Sequence, residues 1–160
     1  MKHPPKQTIA SSMPAINYGQ LDARMGYAIR RAQIAIFQDF FHTFSGEDIK
    51  PAQYSILTII ENNPGLTQSQ VAQSLGIKKT NFVAMIDALE RRGFVKRQTV
   101  PQDRRSYALF LTEAGRSLMP RLHDLAEQHE RRIIALTGRE TYERLAEPIR
   151  AIGRLAPASD

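Results

Sequence analysis

Between Lys78 and Arg105 the chain sets eight cations (Lys78, Lys79, Arg91, Arg92, Lys96, Arg97, Arg104, Arg105) against three acids (Asp87, Glu90, Asp103). This stretch carries a net +5 of the chain's formal +6. Charge gathered in one segment does a different job from charge scattered over a surface. It neutralises phosphates and releases their condensed counterions. The charge pattern alone fits a nucleic acid and an anionic lipid surface equally well.

Other chemistries find little support. Cysteine is absent, which removes disulfides, thiolate metal sites and thiol redox sensing together. The histidines are His3, His42, His123 and His129, and the last two stand six apart on one stretch, a spacing that puts them on different helix faces. No metal and no cofactor is expected. His129-Glu130-Arg131-Arg132 lacks the second histidine of a zinc protease motif. A phosphate-binding loop, a dinucleotide fingerprint and a nucleophile elbow are also missing, so the sequence does not read as an enzyme. No apolar run is long enough to cross a bilayer, and a cytoplasmic, membrane-free protein is expected.

The basic segment needs elements to position it. Residues 1–16, with Pro4, Pro5 and Pro14, read as a flexible arm, and residues 17–160 as a single domain. From Asn17 to Phe44 apolar residues recur at steps of three and four, which predicts one long amphipathic helix ending at Gly46. Pro51 opens a second helix, stopped by Asn62-Asn63-Pro64-Gly65. Thr67-Gln68-Ser69-Gln70 is a capping box for a short helix reaching Leu75, and Gly76 supplies the left-handed turn. A further helix runs from about Lys79 to Gly93 with Phe82 or Val83, Ile86 and Leu89 inward. Two short helices across a glycine turn, the second cationic at both ends, form a helix-turn-helix pattern.

The period then changes to two. Val95, Arg97 and Thr99 alternate with Phe94, Lys96, Gln98 and Val100, a turn follows at Pro101-Gln102-Asp103-Arg104, and Tyr107, Leu109 and Leu111 alternate on the return. This predicts a hairpin with a charged tip. Thr112 is placed to cap a long helix containing Pro120, and Thr137-Gly138-Arg139-Glu140 offers a capping box for a last helix that Pro148 should kink. The fold class is therefore mainly α with a small β-hairpin wing. Residues 50–111 form the winged helix-turn-helix, and residues 17–46 and 113–155 form the dimerisation helices.

Over about residues 20–155 this order resembles the multiple antibiotic resistance regulator (MarR) family. The most specific segment is Gly93-Phe94-Val95-Lys96-Arg97, then Asp103-Arg104-Arg105, then Leu109-x-Leu111-Thr112-x-x-Gly115. Leu66-Thr67-x-x-x-Val71-Ala72-x-x-Leu75-Gly76 adds the first helix of the reading motif. The chain departs from the family pattern in Pro148 and in Lys78-Lys79, which stand where a hydroxyl residue is usual, so base preference does not carry over.

The resemblance implies a homodimeric, ligand-responsive transcription regulator, a repressor released from a palindromic operator on double-stranded DNA by a small-molecule effector. It assigns DNA contact to Thr67, Gln68, Lys78, Lys79, Thr80, Asn81, Lys96, Arg97, Asp103, Arg104 and Arg105. The helix from Lys79 would enter the major groove, Arg104 or Arg105 the minor groove, and Asp103 would orient that arginine. Dimerisation also has a physical motive, because one short reading helix makes too few base contacts to discriminate. The alternative class is an architectural or RNA-binding winged-helix protein without an effector.

For the effector the candidates are Arg30, Arg31, Phe37, Phe40, Phe41 and Tyr54. Cations next to aromatic surface suit an anionic aromatic acid or its acyl-CoA thioester. The competing reading makes Phe37, Phe40, Phe41 and Phe44 a core or dimer face and Arg30-Arg31 a solvated or dimer-pairing face.

Overall fold

The computed structural model describes residues 16–100 and 103–155, with the backbone alone at residues 100 and 103–105. The proposed arm at residues 1–16 lies outside the described residues except for Ile16. The chain divides into two units, residues 1–34 and 35–160. Element order is a 3-10 turn (Gly19–Ala23), α1 (Met25–Thr43), α2 (Pro51–Asn62), α3 (Gln68–Ser74), α4 (Lys79–Arg91), β1 (Val95–Val100), β2 (Asp103–Leu111), α5 (Glu113–Thr137) and α6 (Arg139–Gly153).

The long helix expected from Asn17 starts instead at Met25. The Asn17 side chain accepts from Gly19 N at 2.8 Å, Gly19 has φ +56°, and Arg24 is extended. A local Asx turn thus competes with the helix, as asparagine side chains readily do. In the first unit no described residue is buried, and Leu21, Met25 and Ile29 keep their apolar stripe exposed. Helix α1 ends at Thr43, before the expected Gly46, and the following turn includes Asp48 at φ +48°.

The second unit is built on a core of Phe44, Ile56, Leu57, Ile60, Val71, Phe82, Ile86, Leu89, Val95, Leu109, Met119 and Leu122, all below 2% exposure. These side chains come from every element between the end of α1 and the first half of α5, so the reading motif is held from several sides. Phe82 is the inward residue of the expected pair, while Val83 is 38% exposed. The capping box at α3 forms, with Thr67 Oγ1 accepting from Gln70 N at 3.3 Å and Gln70 Oε1 from Thr67 N at 2.8 Å. Gly76 takes φ +62° in the turn.

Strands β1 and β2 pair antiparallel with Val95 opposite Leu111 and Arg97 opposite Leu109, and the register shifts at Thr99/Val100. Leu66 and Thr67 add a short edge to β2: Leu109 N donates to Leu66 O and Gly65 N to Leu109 O, both at 2.9 Å. The wing base is also pinned to α5. Thr112 N donates to Phe94 O at 3.0 Å, and its hydroxyl donates to Gly93 O while accepting from Gly115 N.

Helix α5 runs unbroken through Pro120, because Met119, Leu122 and Leu125 bury its inner face and outweigh one missing backbone bond. The capping box expected at Thr137–Glu140 does not form. Thr137 belongs to α5 and its hydroxyl donates back to Ile133 O, while Gly138 at φ +78° makes the turn into α6. Helix α6 continues past Pro148 to Gly153, so the proline does not end it.

An ionic cluster joins the end of α1 to α5. His129, 6% exposed, places Nδ1 2.5 Å from Asp39 Oδ2, and Arg132 Nε donates to Asp39 Oδ1 at 2.8 Å. Burial raises the Asp39 carboxyl, but the hydrogen bonds from His129 and Arg132 and the attraction of both cations outweigh it, so its pKa falls below the ordinary 3.8. A depressed carboxyl stabilises the fold above its ordinary pKa and loses that contribution as pH falls through the folded value. Urea unfolding at pH 5 and pH 3 should therefore show a smaller loss of stability for Asp39→Asn than for the wild type. Equal losses would contradict this assignment.

Candidate nucleic-acid interface

The surface that can meet DNA is assembled from three places. The N-terminus of α3 presents Thr67 and Gln68, the N-terminus of α4 presents Lys78, Lys79, Thr80 and Asn81, and the wing follows. Lys78 through Asn81 are all exposed. Thr67, Gln68, Ser69, Lys79, Ser106 and Tyr107 line one crevice of about 200 Å³, which brings the three places together. Among the described residues Lys78, Lys79 and Lys96 enter no ion pair, so their charge is available to phosphates. The free N–H groups at the start of the 13-residue α4 add to this positive end.

Arg97 is placed differently from its neighbours. The hairpin register puts it on the face of β1 that also carries Val95, opposite the buried Leu109, so its side chain runs inward and is 17% exposed. Its Nη2 donates to Asp87 Oδ1 at 2.6 Å, its Nη1 to Glu90, and its Nε to Gln68 Oε1 at 3.2 Å. Arg97 N also donates to Glu90 Oε1 at 3.1 Å. One guanidinium thus ties the wing to α4 and to the start of α3, using the planar fork of donors that lysine lacks. The sequence pattern grouped Arg97 and Gln68 with the DNA contacts and left Asp87 and Glu90 unassigned. The inward period of β1, read with two acids one helical turn apart on the preceding helix, is the signal that points to this tie.

Lys96 lies on the other face, paired with Phe110, and with Glu61 and Arg116 lines a cavity of about 400 Å³. At the far end of α4, Arg92 donates to Asp48 O at 2.6 Å and Glu47 O at 2.7 Å, which fixes the turn before α2. The side chains of Asp103, Arg104 and Arg105 lie outside the described residues; their backbone begins β2.

The effector candidates belong to both units. In the first unit Arg30 and Arg31 are exposed, and Arg30 donates to Gln33 at 3.1 Å. In the second, Phe40 is buried and stacks on Phe44 at 3.8 Å, and Tyr54 leans on both rings. The Tyr54 hydroxyl lies 3.1 Å from His123 Nδ1, whose Nε2 is 2.8 Å from Glu61, and burial pushes the Tyr54 phenol up. Phe37 and Phe41 are 41% and 49% exposed. Among the described residues no three His, Asp or Glu side chains gather into a metal site. No helix of the described chain is long and apolar enough to cross a membrane.

Comparison with known proteins agrees with this geometry. The family model described as the MarR family matches residues 49–107. A protein of Thauera aromatica, named for transcriptional regulation of the hcr operon, is 34% identical over 113 residues, 70% of this chain and 68% of the relative. A solved structure of the transcriptional repressor CouR bound to a 23-mer DNA duplex is 42% identical, covers 88% of this chain and 99% of its own, and has a TM-score of 0.83. CouR bound to p-coumaroyl-CoA is 38% identical over 89% of this chain and 100% of its own, with a TM-score of 0.82. The chain belongs to the MarR family and is a winged helix-turn-helix transcriptional regulator.

Proposed function

We infer that the protein is a homodimeric repressor that sits on a palindromic operator and leaves it when an anionic aromatic acid, or the CoA thioester of one, binds. The observation that carries this reading is the likeness to CouR, a repressor solved with DNA and with p-coumaroyl-CoA, at 42% and 38% identity over nearly its whole length. The reading surface supports the DNA half. Lys79, Thr80 and Asn81 are exposed at the start of α4, as a helix entering a major groove requires, and Lys78 flanks them. Arg104 or Arg105, with Asp103 to orient that arginine, is assigned to the minor groove. Lys96 contributes charge, and Arg97 with Gln68 positions the wing.

Exposed apolar residues support the dimer. Leu136 near the end of α5 is 89% exposed, and Leu145, Ile149 and Ile152 on α6, which buries no residue, are 43%, 56% and 37% exposed. Residues of this kind at helical spacing fit a partner face. For the effector, Phe37, Phe41 and the Phe40–Tyr54 cluster of the second unit are assigned to the aromatic environment.

Sedimentation of the wild type and of Leu136→Glu/Ile149→Glu tests the assembly. Both substituted positions are exposed, so the variant should fold, sediment as a single chain and bind operator at least about tenfold more weakly. A variant that stays dimeric, or a wild-type monomer that still binds operator, would contradict the dimer. A gel shift titrated with aromatic acids and with their CoA thioesters tests the effector; release only by neutral or cationic compounds would contradict it.

A further inference from the structure

Helix α4 turns Phe82, Ile86 and Leu89 fully into the core, at 0% exposure, and leaves Val83 38% exposed on the flank beside them. Helical spacing sets Val83 in one stripe with Thr80, three residues before it, and Asp87, four residues after. The stripe therefore carries a hydroxyl, then a branched apolar group, then a carboxylate. The carboxylate is engaged, because Asp87 Oδ1 accepts from Arg97 Nη2 at 2.6 Å. Ala84, the other exposed residue between Asn81 and Asp87, adds a methyl and no polar group. The middle of the exposed face of α4 thus presents methyl groups to a base edge where its first turn presents Lys79, Thr80 and Asn81.

Valine at this place does little for the helix itself. Its branched Cβ lowers helix propensity below that of alanine, and partial exposure returns little of the loss through burial. The same branching holds χ1 in one strongly preferred rotamer, so the methyls stand in a fixed position and lose little freedom on contact. Val83 also lines the crevice that Lys79, one turn earlier on the same helix, shares with Tyr107 of the wing. We propose that Val83 is a specificity-determining residue that reads the C5 methyl of a thymine in the major groove, one in each half-site. This rests on the dimeric, major-groove reading given above and names a base that it selects. Thymine shows the groove its O4 acceptor and this methyl, and an apolar side chain recognises the methyl by excluding water from it. Cytosine at the same position would turn an N4 donor toward Val83 and Ala84, which hold no acceptor, and the unpaired donor adds to the discrimination.

The experiment uses the full chain on the DNA upstream of its own gene. Each thymine protected in a footprint is replaced in turn by uracil, which removes the methyl and keeps O4 and the base pair, and affinity is read by fluorescence anisotropy at fixed salt. In the wild type, uracil at one thymine of each half-site should weaken binding about fourfold, the worth of one buried methyl group, and about fifteenfold when both half-sites are changed. Val83→Ala should bind the unmodified operator several-fold more weakly, keep the wild-type salt slope, and no longer distinguish uracil from thymine at that position. Val83→Ile, which keeps the branched Cβ, should retain the distinction. A Val83→Ala protein that weakens equally on both operators, so that the thymine preference persists, would overturn the assignment and leave the major-groove reading standing. So would a wild type indifferent to uracil at every protected thymine. A wild type that protects no DNA would overturn both.

Discussion

Gly115→Ala is expected to cost at least about 3 kcal/mol and to leave little folded protein, as clashes with fixed backbone do. A Cβ at Gly115 would stand 2.1 Å from Phe94 O and 3.0 Å from Phe94 C, a contact with backbone that no rotamer relieves. Nor can the backbone retreat easily. Phe94 O accepts from Thr112 N, Thr112 caps α5 through Gly115 N, and Val95 is buried at 1%. The first turn of α5 is thus packed against the start of β1 with room for hydrogen only. With total stability of about 5–15 kcal/mol, such a loss takes a large share. Gly46→Ala is the control: nothing lies within 4 Å of its Cβ, and its effect should stay within about 0.5 kcal/mol. Thermal unfolding of the two variants checks the contrast, and a Gly115→Ala protein as stable as the wild type would show that the wing base and α5 are not packed as described.

Arg97→Ala should lower stability by about 1 to 3 kcal/mol, or several degrees in Tm, and weaken operator binding without removing a cation that faces solvent. The arginine is 17% exposed, but Asp87 and Glu90 are 42% and 38% exposed, so water screens the two acids left behind and the cost stays below that of a fully buried pair. Those acids are one helical turn apart on α4 and repel each other once the guanidinium is gone. Adding Asp87→Asn and Glu90→Gln to Arg97→Ala should recover part of the stability but not the operator affinity, because the wing remains untied from α4. Arg97→Lys should recover the charge without the geometry, since an ammonium cannot reach Asp87, Glu90 and Gln68 together. Binding that falls only in proportion to salt, with Tm unchanged, would instead mark Arg97 as a phosphate contact.

Much of the architecture is readable from local rules. Thr67 with Gln70, Gly76, Gly93, Pro51 and Thr112 announce element boundaries through capping and turn chemistry that depends on neighbours within a few residues. The period-two alternation from Val95 onward places the hairpin. Misreadings arise where a second local option competes or where a contact is distant in sequence. Asn17 turns the chain at Gly19 and delays α1 to Met25; Gly138, with φ +78°, replaces the Thr137 cap. The inward role of Arg97 depends on Asp87, Glu90 and Gln68, and the lack of space at Gly115 on the Phe94 backbone, and neither is visible in composition. Phe37 and Phe40 show the limit of aromatic spacing as a guide: on the same helix, Phe40 is buried in the core while Phe37 is exposed.

The most direct test of the account is a hydroxyl-radical footprint of the full chain on the DNA upstream of its own gene, beside the Arg104→Ala/Arg105→Ala variant. The account predicts two-fold symmetric protection with half-sites about one helical turn apart, as paired reading helices require. It also predicts that the wing variant, with an unchanged circular dichroism spectrum, loses this protection while retaining weak, salt-sensitive binding to random DNA. Protection without symmetry, or an unchanged footprint from the wing variant, would contradict it.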